Sequence, residues 1–200
     1  MKKIIFTATL LTFITAIGYS QKNAFAMSWE VNFPNNGNYL TKTSWAGGKL
    51  EYRYFLKDEL SVGIAMNWNS YSQYFARQTY TKADGNSAIT SDFVAHVYNI
   101  PLTAITHYYF ERKGKMLPYA GIGIGAQYMD QRLFYNVYET SEYNWGFVAR
   151  PEVGVIIAPP GSDVGLLLGL SYSIATNENG ITKKNSFKNF GINIGVSFMQ

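Results

Sequence analysis

Three ionisable residues alternate with apolar ones in the run Lys49-Leu50-Glu51-Tyr52-Arg53, and Arg150-Pro151-Glu152 repeats the spacing. Successive side chains of an extended chain point to opposite faces, so each run gathers its charges on one face and its apolar groups on the other. Glu30, within Trp29-Glu30-Val31-Asn32-Phe33, obeys the same rule. Together Glu30, Lys49, Glu51, Arg53, Arg150 and Glu152 carry three positive and three negative charges. A charge in a low-dielectric interior is tolerated only when paired. The chemistry these residues suit, if they share an interior, is mutual neutralisation in an ion-pair network. The competing reading is that some of them reach water at an open end.

The elements that would bring them together are strands. Period-two alternation recurs near residues 29–33, 44–55, 60–69, 92–110, 119–128, 147–157, 164–174 and 190–198. That pattern marks a strand with two unlike faces. Links after the second, fourth and sixth strands are tight, whereas those after the first, third and seventh are longer and polar. The boundary near residues 140–144 is expected to be a loop holding Glu139 and Glu142 in solvent. Pro101 lies inside the fourth strand and cannot donate to a ladder, so a bulge is expected there. The expected fold is all-β: an eight-stranded antiparallel up-and-down transmembrane barrel with both termini on the short-turn side. In so narrow a closure the second and sixth strands stand opposite each other, which points their charges across one lumen.

Composition agrees with a membrane setting. Aromatics make up 16% of the chain, with 16 Tyr against 13 acidic residues in total. Aromatic side chains belong at membrane–water interfaces. Two girdles are expected: Trp29, Tyr54, Phe55, Tyr108, Phe110, Tyr119 and Phe198 on the short-turn side, and Trp68, Tyr98, Tyr128, Trp145, Phe147, Tyr172 and Phe190 on the long-loop side. The chain opens with Lys2 and Lys3, an apolar run over residues 4–18, and then small residues, which is the order of a secretory signal. Cleavage is expected after Gly18-Tyr19-Ser20, before Gln21, or after Ala24-Phe25-Ala26, before Met27. The domain division is a signal over 1–26 and a barrel over 27–200. The apolar run is too short for a membrane-crossing helix. There is no Cys, which excludes disulfides and a lipid-anchored amino terminus. The formal charge of +4 falls to one or two once the signal lysines are removed, so nothing points to nucleic acid.

The segment Asn99-Ile100-Pro101-Leu102 through Tyr108-Tyr109-Phe110, a charged turn, and Leu117-Pro118-Tyr119-Ala120-Gly121-Ile122-Gly123 resembles the central hairpin of the small outer-membrane β-barrel family, which includes OmpA-, OmpX- and OmpW-like proteins. Residues 190–198 resemble that family's carboxy-terminal sorting strand, although Met199 and Gln200 follow the last aromatic. The resemblance implies the outer membrane of a Gram-negative cell. The implied partners are outer-membrane lipid, lipopolysaccharide and the barrel-assembly machinery, and a monomer is expected.

The lipid A deacylase type of small barrel carries a His-x-Ser pair. Here His96 precedes Val97-Tyr98 and His107 precedes Tyr108-Tyr109, so no enzyme is expected, and no cofactor or metal. His107 is expected in the lumen as a hydrogen-bonded structural histidine, and Gly121, Gly123 and Gly125 as small residues facing a crowded interior. The expected role is structural or surface-interacting, with a plugged lumen. The alternatives are a narrow conduit for small apolar molecules opening laterally near Pro101, and a soluble lipocalin-like barrel with its faces reversed. Lys183, Lys184, Lys188, Arg77 and Arg132 fall on the outer side, where lipid phosphates are within reach.

Overall fold

The computed structural model describes residues 23–36, 40–81, 88–111, 114–135, 138–159, 161–177 and 186–199. The alternating segments form eight strands: β1 (Asn23–Pro34), β2 (Ser44–Lys57), β3 (Leu60–Thr81), β4 (Ala88–Tyr109), β5 (Met116–Tyr135), β6 (Tyr138–Ile157), β7 (Val164–Ala175) and β8 (Phe187–Met199). Each pairs antiparallel with its sequence neighbour, and β1 pairs with β8, so the sheet closes into a barrel. No helix among the described residues is long and apolar enough to cross a membrane. Closure removes free edges, which is how strands can cross hydrocarbon.

The apolar rows face outward. Ile64 is 66% exposed and Val153 52%, whereas Lys49, Glu51, Arg53, Arg150 and Glu152 are at most 6% exposed. This is the reverse of a lipocalin-like arrangement. A strand of the length of β1 rises about 40 Å, which a tilt near 45° reduces to about 28 Å, close to the height of an outer-membrane apolar band.

The strands are unequal. β1, β2, β7 and β8 hold 12 to 14 residues, while β3 to β6 hold 20 to 22. The β2–β3 ladder reaches Ala46↔Ser70, and the β6–β7 ladder begins at Val148↔Ala175. The ladders among β3, β4, β5 and β6 continue past both points, so these four strands project as a sheet on the long-loop side.

Several boundaries differ from expectation. β1 starts at Asn23, six residues ahead of Trp29, where the first strand is expected to open. The loop expected at 140–144 is strand: the β5–β6 ladder continues to Tyr135↔Tyr138, with Glu139 and Glu142 exposed on β6. Both faces of that stretch meet water, so the dyad fades without the strand ending. Pro101 makes no bulge. It pairs with Gln127 in an unbroken β4–β5 register, and the β3 side keeps its register between Met66↔Leu102 and Asn69↔Asn99. Irregularities fall instead at Glu30/Asn32, Phe55/Lys57 and Phe75/Gln78. The tight β6–β7 turn is shaped by Gly161, whose φ of 76° lies in the left-handed region that glycine adopts without steric cost. Of the polar loops expected after the third and seventh strands (the latter over 177–186), residues 82–86 and 178–185, with Lys183 and Lys184, lie outside the described residues.

Candidate functional site: a layered lumen

The inward rows of the eight strands build a lumen in three layers. At the short-turn end Ala24, Ala26, Phe55, Tyr109, Leu117, Tyr119, Ile156 and Leu167 form an apolar floor. At the long-loop end Tyr71, Phe93, Val97, Met129, Val148 and Phe187 belong to a second buried cluster, joined by Leu40 from the β1–β2 connection. Rings lock both layers: Phe55 and Tyr109 lie 5.3 Å apart below, and Tyr71 and Phe187 5.5 Å apart above. The charges lie between the floor and this lid.

All six expected lumen residues are there, in two groups. In the first, Lys49 reaches both Glu51 on its own strand and Glu152 across the lumen on β6. Arg53 donates through Nε to Glu51 Oε2 (2.7 Å) and through Nη1 to the Tyr109 hydroxyl (2.9 Å). Its guanidinium lies 4.9 Å from the centre of the Tyr119 ring. His107 bonds to Glu152 through Nε2 and meets the edge of Tyr119 at 5.1 Å. In the second group, Arg150 on β6 pairs with Glu30 on β1 and donates to Ser171 Oγ (2.8 Å). Asn67 Nδ2 donates to Glu30 Oε2 (3.0 Å). Each group balances its own formal charge when His107 is neutral. A desolvated ion pair holds only when its remaining hydrogen-bonding capacity is met, and the amides and hydroxyls around both groups do part of that work.

Crowding explains the glycines. A Cβ on Gly121 would stand 2.6 Å from Thr106 O, and one on Gly191 would stand 2.7 Å from Ser171 Oγ. Neither position admits a side chain without shifting its neighbours.

Two constellations that look chemical are accounted for by packing and charge pairing. Ser61 is paired across the ladder from His107, whose other face meets Glu152. However, Ser61 Oγ and His107 Nδ1 both lack a hydrogen-bond partner, so the two do not bond each other, and both residues are wholly buried. Glu51, His107 and Glu152 place potential ligand atoms within 4.8 Å of one another. Lys49 and Arg53 already occupy those carboxylates, which makes the group a neutralised ion-pair cluster.

On the outer surface, Tyr54, Tyr108 and Phe198 are exposed near the short-turn end, and Trp68, Tyr98 and Trp145 toward the long-loop end, with Tyr128 and Tyr172 half-buried. Three residues expected in the lower girdle lie elsewhere. Phe55 and Tyr119 point inward, each 3% exposed, because they share the parity of Arg53 and Gly121. Trp29 stands higher: β1 begins well before it, and its indole donates to Trp45 O (2.7 Å) and packs 5.8 Å from the Trp45 ring. Parity alone would have found Phe55 and Tyr119, with Tyr109, as lumen residues. The aromatic character of Phe55 and Tyr119 suggested an interface instead.

Eight antiparallel strands in a ring, with apolar rows outside and paired charges inside, define a transmembrane β-barrel. The chain belongs to the outer membrane protein beta-barrel domain family, whose model matches residues 6–199. It is therefore a protein of the outer membrane of a Gram-negative cell. Similar solved structures include Neisserial surface protein A (17% identity, TM-score 0.52, covering 90% of this chain and 98% of that one). OprG of Pseudomonas aeruginosa is also similar (12% identity, TM-score 0.51, 88% and 94% covered). So is Ail, the attachment invasion locus protein of Yersinia pestis, solved with the heparin analogue sucrose octasulfate (15% identity, TM-score 0.50, 88% and 97% covered). At these identities the likeness is one of fold. No curated protein matches the chain.

Proposed function

We propose that this protein is a closed, non-conducting envelope barrel whose projecting sheet serves surface interaction. One observation carries the reading: the charged layer of the lumen lies between an apolar floor and an apolar lid, with its six formal charges paired. An ion crossing it would have to break those pairs and pass both apolar layers. The continuous β4–β5 ladder at Pro101 weighs against a lateral conduit there.

The surface task falls to the sheet of β3–β6, which lifts Tyr74, Tyr138 and Tyr143 into the water beyond the other four strands. Its partners would be surface lipid, lipopolysaccharide or other cell-surface molecules. Arg132 is engaged by Asp130 (2.8 Å) and Glu139 (3.7 Å), which leaves Arg77 and Lys188 as the better phosphate contacts among the described residues of the expected cationic set. Residues 1–20 act as the export signal, and β8 as the strand that the barrel-assembly machinery reads. The purified protein in a planar bilayer should give no steady open current. A large, persistent conductance would overturn the plug.

A further inference from the structure

We infer that signal peptidase releases the mature chain by cutting between Ser20 and Gln21, and that Ala24-Phe25-Ala26, the better small-x-small match, is barrel wall. The inference rests on reading the first residues as a secretory signal. Signal peptidase selects small residues ahead of the scissile bond. Two stretches offer them, Gly18-Tyr19-Ser20 and Ala24-Phe25-Ala26. The fold separates the two.

Ala24 and Ala26 are 1% and 2% exposed and are packed into the lumen floor. Phe25 between them faces outward and pairs with Phe198. On one side Asn23, Ala24, Phe25 and Ala26 pair with Tyr54, Arg53, Tyr52 and Glu51. On the other side Ala24, Phe25 and Ala26 pair with Met199, Phe198 and Ser197. Asn23 Oδ1 also accepts a hydrogen bond from the Tyr52 hydroxyl (2.9 Å).

A chain beginning at Met27 would lose this third of β1. The lower ends of β2 and β8 would then face each other across a gap, with backbone N–H and C=O groups stranded in hydrocarbon. It would also remove two floor residues in the layer beneath the Lys49–Glu51–Arg53 cluster. The small side chains at 24 and 26 are thus accounted for by lumen crowding, the same cause that places glycine at 121 and 191. Cleavage after Ser20 spares every paired residue of β1. In that step water adds across the Ser20–Gln21 peptide bond, its hydroxyl completing the Ser20 carboxylate and its proton passing to the new Gln21 amine.

The test is the intact mass and amino-terminal sequence of the full-length gene product, expressed in a Gram-negative host and purified from its outer membrane. A mature chain starting at Gln21 is expected. A start at Met27 would overturn the inference while leaving the export signal intact, and an uncut chain starting at Met1 would overturn the signal itself. A Ser20→Phe variant, which leaves every residue of β1 unchanged, should accumulate as precursor. Undiminished processing of that variant to a Met27 start would count against the inference.

Discussion

The membrane-level lumen and the sheet that projects beyond it both hold arginine–carboxylate pairs, yet their surroundings make them different interactions. In the lumen, Arg53 and Glu51 are 0% and 2% exposed at their side chains, and Arg150 and Glu30 are 2% and 0% exposed. On the projection, Arg132 is 44% and Glu139 45% exposed, with Asp130 at 15%. A buried charge that loses its partner has no water to turn to, whereas an exposed one is rehydrated almost without cost. The same pairing is therefore indispensable in one place and incidental in the other.

The sharpest break in this contrast is Glu152→Ala. It leaves Lys49 and His107 without their shared acceptor and should lower stability by about 3–5 kcal/mol. Urea unfolding of the barrel in lipid vesicles reads it directly. A loss indistinguishable from zero would mean that the lumen is wet enough to rehydrate the cations.

Replacing both members of the second group, Glu30→Met with Arg150→Met, should cost far less than either change alone. The double variant is expected within about 1 kcal/mol of the parent, because no charge is left stranded. Strict additivity of the two single losses would show that the pair contributes no coupling.

The smallest effect is expected for Arg132→Ala, with an unfolding midpoint unchanged at moderate salt, where exposed pairs are screened. A clear shift there would raise the projection from a display surface to a structural element.

Much of this architecture was legible in the chain, and for one reason. Where one face meets lipid and the other a polar lumen, the period of two is written strongly, as in Leu60 to Asn69 or Phe190 to Phe198. The lumen charges followed from parity alone. Legibility failed where the two faces cease to differ. Residues 138–143 of β6 are exposed on both faces and look like a loop, and Ala24 and Ala26 look like a processing motif. Phe55, Tyr109 and Tyr119 close the lumen with apolar surface, so hydrophobicity and parity disagree there, and parity is right. The partition of the six charges into two groups, and the link from His107 to Glu152, depend on stagger between strands far apart in sequence.

The seam between β1 and β8 has a consequence in time. Those strands meet from Ala24↔Met199 to Pro34↔Asn189, so the first element made must wait for the last. Contacts of such long sequence separation form late and slowly, because the intervening chain must be ordered before they reward it. Until the clasp shuts, β1 and β8 each carry an open edge, the form of strand most prone to stray pairing. A nascent copy stalled before residue 187 has nothing to fasten to. The closing seam thereby makes an intact wall depend on the first and the last strand at once.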